Sequence, residues 1–192
     1  MSHYFQGITV IKTVILRHDL TVLLDKNFHV GMFNGNTNVT LKGVLGRTQY
    51  RVSKDAYNAL DIISQESIAE NVDLAFLDLS SLDFGNPVHV ETIHKHVLGS
   101  YTKIGKHIYS VALCPKETAP TLCITNLFPD NTRNYLVFSE SIIVEREEPD
   151  RILFSVKHNE GAVREISTFS LDDNQSISGN MVGVFCLKKE LV

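Results

Sequence analysis

No stretch of this 192-residue chain is apolar over anything near the ~20 residues that a bilayer-spanning helix needs. The N-terminus lacks a charged segment leading into an apolar stretch and a small-residue cleavage site, so no secretory leader is expected. Cysteine is scarce: Cys114, Cys123 and Cys186 are an odd count without a CxxC pair. That pattern excludes a cysteine-built zinc site and points to free, buried thiols in a reducing compartment. Gly43-Val-Leu-Gly46 has neither the spacing nor the Lys-Ser/Thr end of a phosphate loop, which leaves nucleotide binding without support. An excess of positive charge is also missing, and the net charge of −4 makes nucleic acid an unlikely partner. There is no internal repeat and no low-complexity tract.

What is present belongs to a globular core. Hydrophobic residues make up 43% of the chain, too many for a disordered segment. β-Branched and aromatic residues recur in short runs bounded by turn residues. The runs predict strands at Ile8–Leu16, Leu20–Leu24, Asn38–Leu45, Gln49–Val52 and Val72–Leu79. A second set is predicted at His107–Leu113, Thr121–Asn126, Tyr135–Glu145, Arg151–Lys157, Val163–Ser170 and Met181–Leu187. Ser53–Glu70 and His89–Val97 have mixed patterns that can hold helical turns. Residues 83–106 carry the Gly, Pro and Ser content of a connector. The expectation is therefore an all-β chain with lobes at 8–82 and 107–192 joined by a linker at 83–106. Residues 1–7 stand apart, because Tyr4-Phe5-Gln6-Gly7 reads either as the remnant of a cleavable tag or as a native Gln-Gly junction.

Two segments of the first half carry candidate chemistry. His29 follows a hydrophobic strand, and Asp73 opens the apolar run Val72-Asp73-Leu-Ala-Phe-Leu-Asp-Leu79. A carboxylate at a buried strand end needs a partner, and an imidazole can be one. Together they make a general-base unit in which the acid orients the imidazole and stabilises its charged form.

The Asp73 strand resembles the acid-bearing strand of chymotrypsin-like proteases. Ile15-Leu-Arg-His-Asp-Leu-Thr-Val-Leu-Leu-Asp-Lys-Asn-Phe-His29 is similar to the histidine-bearing hairpin of picornavirus-type and potyvirus-type main proteases. The resemblance implies two packed antiparallel β-barrels, with His and acid in the first and the nucleophile in the second. It places the nucleophile in Asp172-Asp-Asn-Gln-Ser-Ile-Ser-Gly-Asn180, at Ser178, with the backbone N–H groups of Ile177 and Ser178 forming the oxyanion hole. The implied activity is polyprotein processing in the host cytoplasm on a polypeptide substrate, without cofactor, metal or membrane; self-association is left open. The chain departs from the family pattern in three ways. Ser176 stands where the family has Gly, and Asn180-Met181 replaces its usual pair. Only 14 residues follow Ser178, too few for the strands that complete the second barrel. A chain cut short after Val192, an exchange of Cys for Ser at 178, or an inactive relative each account for these departures. A β-sandwich interaction or capsid domain is the remaining alternative.

The densest histidine group is His89, His94 and His96. Read as a strand, it would put His94 and His96 on one face, but no further metal ligand accompanies them. Glu145, Glu147, Glu148 and Asp150 are read as a solvated hairpin tip.

Overall fold

The computed structural model describes residues 10–15, 31–33, 36–43, 46–66, 71–82, 88–125, 127–130, 132–144, 150–158, 163–170, 176–177 and 180–190. Strand makes up 55% of it, in agreement with the all-β expectation. The chain runs through β1 (Val10–Ile15), β2 (Gly31–Phe33), β3 (Asn36–Gly43), β4 (Gly46–Val52), α1 (Lys54–Glu66) and β5 (Asn71–Asp78). After a 3₁₀ turn at Leu79–Ser81 come β6 (Val88–His89), α2 (Val90–His96), β7 (Tyr101–Ile104), β8 (His107–Ala112) and α3 (Thr118–Thr125). The last elements are β9 (Asn134–Val144), β10 (Asp150–His158), β11 (Val163–Ser170), β12 (Ser176–Ile177) and β13 (Met181–Lys189).

Nine strands form one path, β1-β5-β13-β9-β10-β11-β4-β3-β2, with β7 and β8 branching from β13. Most pairs are antiparallel, but β11 pairs with β4 and β13 with β9 in parallel. Strands from both halves of the chain therefore share the sheet. The interval 83–106 contains β6, α2 and β7, and β7 forms a hairpin with β8.

The central strands are buried on both faces. Alternation along β5 sends Val72, Leu74 and Phe76 into one core and Ala75 and Leu77 into another. The first core is closed by α1, whose buried Ala56, Ala59, Leu60 and Ile63 recur at the spacing of one helix face. The Ser53 hydroxyl caps this helix by accepting from the Ala56 N–H at 3.2 Å. The second core is closed by Val90, Ile93 and Val97 of α2 and its C-terminal end. Two-sided burial explains why β5 reads as a nearly continuous apolar run.

One predicted strand proves to be a helix. Thr121–Asn126 overlaps α3, in which Thr118, Ala119, Pro120, Thr121, Leu122 and Cys123 are all buried. A short apolar run without polar alternation carries no periodicity that separates strand from helix. Pro120 falls in the first helical turn, where its missing N–H costs no intrahelical bond. The strand predicted at Leu20–Leu24 lies outside the described residues.

β9 leaves its partner to admit another segment. Ile142 pairs with Ile152 and Val137 with Phe154, so β9 holds three residues more than β10 between the two pairs. In that bulge the Cys114 N–H donates to the Phe138 carbonyl at 2.7 Å, and the Glu140 N–H donates to the Cys114 carbonyl at 2.9 Å. The chain following β8 thus wedges between β9 and β13, and the sheet forks there. Phe138 and Phe185 stack beside the fork with ring centroids 4.6 Å apart.

That stack restricts β13 at Gly183. A Cβ there would sit 2.7 Å from Phe185 Cε2 and 3.0 Å from Leu79 Cδ2. Phe185 is 1% exposed and held against Phe138, so the ring has little room to retreat. Gly183→Ala is expected to destabilise the fold by about 1–3 kcal/mol in urea denaturation, as overpacking does. An unchanged midpoint would show that this core yields freely.

Candidate functional site

Of the three residues expected to form a catalytic triad, the structure describes Asp73. It is half-buried on β5, between Thr13 of β1 and Leu187 of β13. His29 and Ser178 lie outside the described residues. Ile177, expected to contribute an oxyanion N–H, pairs with Val88 in the short β12–β6 ladder, and its side chain is buried in the second core. Asp73 stands opposite Leu187, six residues along β13 from Met181. At 3.2–3.4 Å per residue this separates Asp73 from Met181 by roughly 20 Å. Asp73 and Met181 thus stand toward opposite ends of the β5–β13 pairing.

The histidine group is arranged differently from the strand expectation. His94 and His96 belong to helix α2, where neighbours two apart in sequence do not face one another. The His94 imidazole is half-buried, 6.1 Å from the Phe138 ring, while His89 and His96 are exposed. Among the described residues, no group of three His, Cys, Asp or Glu side chains could hold a metal ion.

The three thiols are free and buried, as their number and spacing suggested. Cys114 sits in the fork, and its thiol donates to the Val184 carbonyl at 3.6 Å. Burial pushes this thiol well above its ordinary pKa, Cys186 beside it adds to the rise, and the neighbouring Thr118 hydroxyl offsets a little of it. A thiol held protonated in this way is neither nucleophile nor metal ligand.

A polar corner lies at the end of β5. Arg133 donates to Asp78 Oδ2 at 2.8 Å, while the other carboxylate oxygen accepts from the Ser80 N–H at 3.0 Å and from its hydroxyl at 2.6 Å. Burial raises the Asp78 pKa, but the hydrogen bonds from Ser80 and Arg133 outweigh it and hold the carboxyl below its ordinary value. Nearby, the Tyr135 hydroxyl donates to the Asp130 carbonyl at 2.7 Å and accepts from the Asp130 N–H at 3.0 Å. These bonds fasten the loop that enters β9.

Sequence reading missed a concentration of lysines along the β7–β8 hairpin. Lys103, Lys106, Lys188 and Lys189 are all exposed there. Register brings together residues far apart in the chain: Lys188 pairs with Ser110, and Ser110 with Tyr101. In the next row Lys189 pairs with Tyr109, and Tyr109 with Thr102. No local motif signals this arrangement, because some 80 residues separate the two pairs of lysines.

Compared with protein families, curated proteins and solved structures, the chain matches none.

Two expectations follow from this geometry. Arg133→Ala removes an ion pair whose partners are 34% and 39% exposed, so solvent screening limits its loss at neutral pH to less than about 1 kcal/mol. Asp78 has a depressed folded pKa, so its contribution is present above the unfolded value near 4 and fades as pH falls through the folded value. Urea curves of the two proteins should differ at pH 7 and converge in strong acid, and a gap that widens in acid would contradict this assignment. The second expectation concerns the thiols. An aromatic disulfide reagent should leave all three cysteines unmodified in the native protein and titrate all three in denaturant; rapid reaction of one without denaturant would show an accessible thiol.

Proposed function

We propose that this chain is a noncatalytic β-rich binding domain, not the polyprotein-processing endopeptidase whose His-Asp-Ser order it shares. One observation carries the reading: Asp73 lies opposite Leu187, roughly 20 Å along β13 from the Met181 end to which the Ser178 segment is joined. A general base must almost touch both its nucleophile and its orienting acid. The pairing of β4 with β11 and of β5 with β13 gives the same direction, since it runs one sheet through both halves where two closed barrels would each pair within themselves. The buried thiols offer no substitute nucleophile.

The rival keeps two chymotrypsin-like barrels, with His29 as base, Asp73 as orienting acid, Ser178 as nucleophile, and the backbone at Ile177 and Ser178 holding the oxyanion. It predicts cleavage of a polypeptide through an acyl intermediate. A fluorophosphonate probe separates the two without knowledge of the substrate, because it reacts with an activated serine hydroxyl. The expected result is no labelling above that of the Ser178→Ala protein, and no cutting of a peptide spanning the Gln6-Gly7 junction. Labelling at Ser178 that is lost in both His29→Ala and Asp73→Asn would overturn the binding reading and restore the triad.

A further inference from the structure

The lysine-rich end of the β7–β8 hairpin has a chemical character unlike that of the whole chain. In a protein of net charge −4, four exposed lysines gather where β7, β8 and the last residues of β13 meet. The half-buried Glu190, whose N–H donates to the Ile108 carbonyl at 2.9 Å, and the half-buried Asp73 are the acids beside them. The tyrosines are interleaved with these charges. Tyr101, Lys103 and Lys188 share one face of the sheet by alternation and register, while Tyr109 and Lys189 share the other. Both tyrosines are half-buried; Tyr109 packs against the second core, and the His107 ring meets it edge-on at 6.5 Å. Lys106 occupies the two-residue turn between the faces, where Gly105 at φ 60 supplies the positive φ of a tight hairpin.

Lysines on sheet edges often do no more than prevent edge-to-edge aggregation. That role accounts for Lys103 on β7, which pairs only with β8 among the described residues. It does not account for Lys106 in the turn, and Lys188 and Lys189 run on past the last β5 partner of β13, with β8 as their one paired neighbour among the described residues. Point charges alternating with aromatic rings fit a flexible polyanion that has planar groups to stack. A duplex hides its base faces, and an acidic peptide offers no ring at each charge.

We infer that the end of the β7–β8 hairpin, formed by Lys103, Lys106, Lys188 and Lys189 with Tyr101 and Tyr109, binds single-stranded nucleic acid. The lysines contact phosphates and the tyrosines stack on bases. The inference deepens the binding-domain reading above and rests on it. Sequence selectivity is not expected, since every base has a face to stack and lysine meets phosphate as a point charge.

The test is fluorescence anisotropy with the full chain and a labelled oligothymidylate of about 20 nucleotides, long enough to cover a typical single-strand site. With each lysine neutralising one phosphate, the log–log salt slope should be about −2.8, or roughly a fiftyfold loss of affinity between about 50 and 200 mM salt. Lys103→Gln with Lys188→Gln should reduce that slope to about −1.4. Tyr101→Ala should weaken binding about tenfold while Tyr101→Phe retains it, because the ring does the stacking. Lys157→Gln, an exposed lysine on β10, should change nothing. Absence of binding at low salt, indifference to the paired lysine substitution, or equal competition by polyglutamate at matched charge would each overturn the proposal. Such a failure with Ser178 still unlabelled by the fluorophosphonate would reject this partner alone; labelled Ser178 would reject the binding-domain reading itself.

Discussion

Between Met181 and Leu187 every side chain of β13 is buried, so neither face of this strand meets solvent. Its alternate residues enter two separate cores: Val182, Val184 and Cys186 on one side, Met181, Phe185 and Leu187 on the other. A strand in that position has to be covered twice, and much of the remaining architecture supplies the cover. α1 and α3 lie over one face, and α2 with the 3₁₀ turn at Leu79–Ser81 lies over the other. β5 beside it inherits the same demand, as do the middle residues of β9 and β10. Burial on this scale is the main favourable term in folding, and each of these side chains contributes on the order of 1.5–3 kcal/mol when fully removed from water.

The fork follows from the same crowding. β13 keeps β9 as a parallel neighbour only from Met181 to Val184, after which β8 takes its place from Cys186 onward. Cys114 enters where the two neighbours diverge and satisfies backbone groups of β9 that the β10 ladder has released. A small thiol suits the apex of such a wedge, being little larger than alanine and content in an apolar setting. The high pKa of Cys114 is thus a consequence of its packing. It explains why the thiols of this protein are structural in character.

The fork also creates the site at which the proposed chemistry sits. Because β8 takes over beside the last part of β13, the β7–β8 hairpin is carried to one end of the sheet along with Lys188 and Lys189. Four charges that are unremarkable in two separate sequence segments become neighbours only through that pairing. Asp73 is a half-buried acid on a buried strand, and the antiparallel register of β5 and β13 sets it opposite Leu187, far along the strand from Met181.

Several elements were legible locally because their determinants are local. Val163–Ser170 matches its expected bounds, and His107–Leu113, Tyr135–Glu145 and Met181–Leu187 lie within one or two residues of the observed strands. Helical turns within Ser53–Glu70 and His89–Val97 appear as α1 and α2. The failure at α3 has a physical origin, since a segment buried on every side shows neither the period of a strand nor that of a helix. β2, β6, β7 and β12, at two to four residues each, were invisible because strands so short are held by their partners more than by their composition. By itself, then, the sequence determined that the chain is β-rich, has buried free thiols and carries an acid on a buried strand, all of which depend on side-chain type and short-range alternation. Tertiary structure alone decided that β4 runs parallel to β11, that β9 bulges to admit Cys114, and that Tyr101 and Lys188 meet across β8 while Asp73 and Met181 stand apart. Those outcomes depend on which strand pairs with which and in what register, and pairing energy is gained between residues whose separation along the chain leaves no local trace.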